Sequence, residues 1–259
     1  MNDALLRLAI FGAALFMLFL GERVFRWHRV PTGRTSIRIA NFGLGAVGAL
    51  AVRLLLPWAG VAAALAAEQR SWGVLHSLGY SGLAAGMVGF LALDLAIYWQ
   101  HRVTHSIPLL WRLHRVHHTE EHLDFTSALR FHPVEIVLSA AWRWLVIVAL
   151  GIPALAVFVF ETVLNTAALF NHANLRLPVR LDRTLRLVLV TPAVHRVHHS
   201  IEGSEQHRNF GFNLPWWDWL FASYSRESRQ GPDVAQIGVI DRPAPHERPF
   251  RRLFIDPFI

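Results

Sequence analysis

An all-α integral membrane protein, with a helical bundle of about four to five spans beneath a cytoplasmic helical cap rich in histidine, is the fold class this sequence predicts. Three observations carry that expectation. Of 259 residues, 53% are hydrophobic and only 17% charged, and the mean hydropathy is +0.33. Several apolar stretches reach the roughly 20 residues that a helix needs to cross a hydrocarbon core. Histidine is abundant, at 15 residues, while Cys is absent and all 25 basic residues are Arg. The lack of Cys excludes a disulfide-stapled fold and any thiolate-held metal centre within the chain.

The first apolar stretch, about Leu5 to Leu20, lacks a basic leader and a small-x-small cleavage site, so it reads as a retained anchor. The second runs from about Ile39 to Leu65 and is broken at Pro57; the third runs from about Leu78 to Trp99. A fourth and a fifth, about Val134–Leu150 and Pro153–Phe170, are joined by Gly151-Ile152-Pro153, the punctuation of a tight helical hairpin. Arg143 and Glu161 each lie nine residues from Ile152, which predicts that they pair at equal depth.

The net charge of +7 comes from arginines lying between apolar segments, among them Arg23, Arg26, Arg29, Arg34 and Arg38 after the first span. That placement follows the positive-inside bias and no DNA- or RNA-binding signature accompanies it, so nucleic acid is not an expected partner. With that connection cytoplasmic, parity brings the ends of the third and fifth spans to the same face. The histidine-rich segments after them, 101–132 and 172 onward, then meet at one membrane surface.

Those segments hold the chemistry. Asp94, Tyr98, His101 and His105 fall along one helical face at the end of the third span. His114-Arg-Val-His117-His118 sets three imidazoles at i, i+3 and i+4, and the pattern recurs as His195-Arg-Val-His198-His199. Neutral imidazole suits Zn, Cu, Ni and Fe, and these boxes offer eight, too many for one first-row ion and suitable for two. His172 ends an apolar span on the same side. His132 is open between a ligand and a helix-start residue, because Pro133 follows it. His28, His76, His122, His207 and His246 lack companions at ligand spacing. Acceptors able to orient a ligating imidazole through its other nitrogen include Glu120, Glu121, Asp124 and Glu135, and above all Asp94, Asn174 and Asp218, with Asp94 best placed.

Taken together, Asp94-Leu-Ala-Ile-Tyr98-Trp-Gln-His101-Arg-Val-Thr-His105, Leu110-Trp-Arg-Leu-His114-Arg-Val-His117-His118, Leu129-Arg-Phe-His132-Pro-Val-Glu135, Asn171-His172-Ala-Asn174, Thr191-Pro-Ala-Val-His195-Arg-Val-His198-His199 and Asn209-Phe-Gly-Phe-Asn-Leu-Pro-Trp-Trp-Asp218 resemble the fatty acid hydroxylase superfamily, also called the sterol desaturase family. The likeness covers about Leu91 to Tyr224 and is nearest the bacterial single-domain members. It implies a membrane-bound non-haem di-iron oxidoreductase that uses O2 to hydroxylate or desaturate a lipid. The implied iron ligands are His101, His105, His114, His117, His118, His195, His198 and His199, with His172 as a ninth. One departure stands out: many relatives read Leu-Phe-Gly-Thr-Tyr where this chain has Leu220-Phe-Ala222-Ser-Tyr224, a change expected to bear on substrate fit more than on iron.

No flavin, haem or Cys-cluster motif occurs, so a separate cytoplasmic electron donor is implied. The expected organisation is 1–75, membrane helices; 76–225, catalytic; and 226–259, a Pro/Arg-rich tail reading as a surface cap or donor-docking patch. The expected location is a bacterial inner membrane with the histidines facing the cytoplasm. Pro215 to Phe221, rich in Trp, reads as an interfacial segment that could line a lipid entrance. The competing readings are an electron carrier holding haem b, a metal transporter or sensor, and a zinc hydrolase. Clustered boxes beyond the helix ends argue against the first two, and HExxH is missing for the third.

Overall fold

A computed structural model describes residues 3–231, 236–240 and 250–258. It is helical throughout, without a strand among the described residues. Five helices are long and apolar enough to cross a membrane: α1 (Asp3–Val24), α2 (Arg34–Leu55), α5 (Gly82–Ser106), α7 (Pro133–Leu150) and α8 (Ala154–His172). Leu8, Phe16, Ile39, Leu54, Leu83, Met87, Leu145 and Leu155 point outward from these helices, an apolar exterior suited to lipid rather than water. Inside, Leu93, Ile97, Ile147, Ile152, Val157 and Phe160 form the main core, with Phe90 edge-on to Phe160 at 5.4 Å.

The second span is shorter than its apolar run suggests. α2 stops at Leu55, the chain turns through Pro57 and Gly60, and Val61–Gln69 forms a separate helix, α3. A four-residue helix, α4 (Val74–Ser77), follows, and the third span starts at Gly82 rather than near Leu78. Gly79 and Gly82 both take positive φ, which is why the helix cannot begin earlier. At its far end α5 continues through His105, carrying the first histidine box on the span itself. The α7–α8 hairpin turns at Gly151 as the sequence predicts. Gly151 has φ 69°, and a β-carbon there would collide with the Trp72 carbonyl.

The expected Arg143–Glu161 pair does not form. Glu161 instead takes Arg7 from α1 at 3.0 Å, while Arg143 donates to Ser139 Oγ at 2.7 Å. Hairpin symmetry gave the two residues similar depth, but α1 packs on α8 and brings a nearer cation.

At the face where α1 ends and α2 begins, a buried polar cluster fastens the helix ends. Arg34 bridges Glu120 (3.0 Å) and Asp124 (2.8 Å), Arg38 also holds Asp124, and Asn41 reaches Glu120 and Thr126. Glu22 Oε1 accepts from the backbone N–H groups of Phe125 and Asn174, joining α1 to the loops that follow His118 and α8. Arg130, fully buried, donates to Val116 O, Asn41 Oδ1 and Thr119 Oγ1, placing a cation at the carbonyl end of α6 (Pro108–His118), where the helix dipole favours it.

Short helices α9 (Val179–Leu185), α10 (Pro192–His198), α11 (Gly203–Gln206) and α12 (Trp216–Leu220) complete the cap with α6. From the tail, Leu253 packs on Leu44 and Val116, and the Asp256 carbonyl accepts from Arg115. His246 lies outside the described residues. Ala222, at the departure from the family's glycine, sits at φ 56°, is exposed and lies outside the cavity described below. The departure thus falls on a left-handed backbone position away from that cavity.

Two outcomes follow from this framework. Arg34→Leu leaves Glu120 and Asp124 without their shared cation and should lower unfolding stability in detergent by about 3–5 kcal/mol; an unchanged denaturation midpoint would contradict the role given to this cluster. Ala222→Gly relieves the left-handed backbone and should raise stability by about 1 kcal/mol, against a loss if the residue were unstrained.

Candidate metal centre

Helices α6 and α10 both start with proline in the first turn, where its missing N–H costs nothing, and both turn their histidines inward. Two groups result. His101 and His105 from α5, His114 and His118 from α6, and His198 from α10 form one; His117 from α6, His172 from the end of α8, His195 from α10 and His199 just beyond it form the other. Within each group one nitrogen per residue lies within 4.8 Å of every other. None of the nine is more than 7% exposed, which removes the reading of a solvated histidine surface.

Protons can be placed from the acceptors. His101 Nδ1 donates to the Phe210 carbonyl (2.8 Å), His172 Nδ1 to Ala168 O (2.7 Å) and His198 Nδ1 to Arg208 O (2.8 Å). His114 Nδ1 donates to Glu135 Oε1 at 2.6 Å. Since a carbonyl can only accept, the neutral ring then presents a bare lone pair at Nε2. The His101 and His114 lone pairs converge, with their Nε2 atoms 3.2 Å apart, and the His172 lone pair faces His117 and His195 Nε2, each at 2.9 Å. Elsewhere in the groups, His105 Nε2, His198 Nε2 and both nitrogens of His118 are buried without a hydrogen-bond partner. Burial holds His117, His118, His195 and His199 well below the usual imidazole range, and brings His198 down to about 3 although its bond to Arg208 works the other way. Neutral, unpartnered, converging nitrogens are the donor set a metal ion requires. The residues present therefore fit two nitrogen-bound ions, one per group.

His132 stands apart from both groups. Its Nδ1 accepts from Val134 N–H, capping α7, and its Nε2 lies 3.2 Å from the Phe254 carbonyl. Among the acceptors named from sequence, Glu135 is the one that touches an imidazole. Asp94 accepts from Asn213, Leu214 and Trp217, and Asp218 accepts from the N–H groups of Phe210 and Gly211 and from Ser223. Both act through the 209–217 segment, whose Phe210 carbonyl orients His101. Asn174 bonds the backbone of His28 rather than any histidine ring. Glu120 and Asp124 are engaged by Arg34. The orienting carbonyls of Ala168, Arg208 and Phe210 escape sequence reasoning because a backbone acceptor has no residue signature.

Beside the five-histidine group opens a cavity of about 740 Å³, a size typical of small-ligand sites. His101, His114 and Glu135 line one end, Phe11, Phe42, Leu129, Ile136 and Phe212 its walls, and Arg7 and Arg143 also border it. The Trp216–Phe221 segment does not line it. Trp217 is tied inward to Asp94, while Trp216, Trp219 and Leu220 are exposed.

Replacing Glu135 with Gln removes the carboxylate that fixes the His114 tautomer and should weaken metal retention by about 10- to 100-fold in a chelator competition. His132→Ala in the same assay should leave retention unchanged and cost about 1 kcal/mol of stability through the lost cap. Equal metal retention in parent and Glu135→Gln would show that His114 is oriented by something else.

A fatty acid hydroxylase family model matches residues 86–223, just over half the chain and inclusive of all nine clustered histidines. The ornithine lipid hydroxylase of Rhizobium tropici is 29% identical over 61% of this chain and 46% of its own length. Alkylglycerol monooxygenase of Danio rerio is 34% identical over 54% of the chain and 30% of its own, and a putative Delta(7)-sterol-C5(6)-desaturase of Arabidopsis thaliana 26% identical over 50% and 44%. The chain thus spans less than half the length of these curated relatives, and no solved structure matches it. By the family match, and by the histidine pattern that lies within it, this chain belongs to the fatty acid hydroxylase family.

Proposed function

We propose that this protein is a membrane oxidoreductase that uses two histidine-held iron ions, O2 and electrons from a separate cytoplasmic donor to hydroxylate or desaturate a lipid. The observation that carries the reading is the shared wall: His101 and His114 belong both to the five-histidine group and to the lining of an apolar cavity set among apolar helices. A lipid chain in that cavity lies against the metal ligands without leaving a hydrocarbon environment. Relatives named for acting on ornithine lipid, alkylglycerol and sterol support an apolar substrate.

Iron bound by nitrogen ligands with open positions supplies dioxygen activation strong enough for an unactivated C–H bond. The chain's own residues provide the setting. Glu135 and the carbonyls of Phe210, Ala168 and Arg208 keep protons on Nδ1, so that Nε2 stays free for the metal. Phe11, Phe42, Ile136 and Phe212 exclude water and hold an alkyl chain beside His101. The arginines around the histidine-bearing face, and their scarcity at the opposite connections, support a cytoplasmic site in a bacterial inner membrane.

Purified protein should contain about two irons per chain, as two groups of ligands require. Cells expressing it should show an O2- and reductant-dependent change in their lipids by mass spectrometry, absent from His117→Ala and His198→Ala variants that have lost metal. Full lipid oxidation by those variants, or a parent that holds only zinc while active, would sink this reading.

A further inference from the structure

The same cavity holds a charge that the oxidation chemistry does not use. Arg143 sits near the middle of α7, and its sole hydrogen bond among the described residues is Nη1 to Ser139 Oγ at 2.7 Å; its Nε is buried without a partner. The acid at matching depth, Glu161, is already bound by Arg7 at 3.0 Å. Arg7, Arg143 and Glu161 together carry a net single positive charge within the apolar bundle, and both arginines border the cavity. Arg143 lies within the electrostatic reach of Glu161 without pairing with it; a guanidinium so weakly answered in hydrocarbon is costly, and such residues persist where a ligand or water-filled space answers them. Ser139 donates on to Gln100 Oε1 at 3.1 Å, so the polar wall runs from Arg143 back to the residue beside His101.

We propose that Arg143 is an oxyanion subsite: the cavity takes a single-tailed amphiphile whose monoanionic group, a carboxylate or a phosphodiester, binds the Arg143 guanidinium while its chain extends to the histidines. The proposal rests on the lipid-oxidising reading and names the class of lipid. A planar fork presents two parallel N–H donors to such an oxyanion. Glu135 and Arg143 are eight residues apart on α7, about 12 Å along the axis, so the reacting carbon lies well along the chain from the anionic end.

Equilibrium binding of radiolabelled palmitate to the purified full-length protein tests this without turnover, with unlabelled palmitate, lysophosphatidylglycerol and hexadecanol as competitors. At least one of the two anions should bind ten times or more tightly than hexadecanol, and the tighter one identifies the oxyanion. Arg143→Gln should erase that preference while hexadecanol affinity and metal content stay at parent level, and Arg143→Lys should retain part of it. Should Arg143→Gln fail to accumulate, the parent comparison and Arg143→Lys still decide: equal binding of anion and alcohol by the parent, or an anion preference fully kept without the guanidinium fork, overturns the subsite. Equal binding of all three amphiphiles leaves the lipid-oxidising reading standing and removes only the subsite. No binding of any removes both.

Discussion

The Nε2 lone pairs of His101 and His114 face each other across 3.2 Å in a buried interior and repel, and the Nδ1 bonds of the two rings to Phe210 O and Glu135 leave them no escape. Each of the best-defined imidazoles is clamped through Nδ1 to an acceptor that cannot donate back, so rotation or tautomer exchange would break a buried bond. Protonation is no remedy, because burial and neighbouring rings hold the cap histidines in the neutral form. Cations placed between the nitrogens resolve this conflict, and two groups of donors provide places for two.

The surrounding structure serves that arrangement. α6 contributes to both groups and is held at its carbonyl end by Arg130 and at its far side by the tail residues around Leu253 and Asp256. The 209–217 segment carries the carbonyl that orients His101, and Asp94 and Asp218 pin it from opposite ends through five hydrogen bonds. Asn209, in the left-handed region that Asn tolerates, adds bonds to Val194 and Ser225 and so ties the segment to α10. Carboxylates that looked like partners of the histidines thus act one step removed, by positioning backbone that does touch them.

Much of this was legible in one dimension. Helical spacing alone put His114, His117 and His118 on one side, and His195, His198 and His199 on another, because i, i+3 and i+4 share a face whatever the tertiary fold. The five spans were legible for the same reason of local periodicity and length. What could not be read depends on which helices become neighbours. Glu161 chose Arg7 over Arg143 because α1 lies against α8, and Glu135 reached His114 across 21 positions because α7 packs against α6. His132 resolves as a cap through the short reach from its ring to Val134 N–H. The strain at Ala222 was hinted at by the family's glycine, and became concrete only once φ was known.

The central claim is that these nine histidines divide into two metal-binding groups. Anomalous difference density collected from crystals of the iron-loaded protein on either side of the iron absorption edge locates the ions directly. The account predicts two peaks, one among His101, His105, His114, His118 and His198 and one among His117, His172, His195 and His199. A single peak shared between the groups, or density at His132, would contradict it.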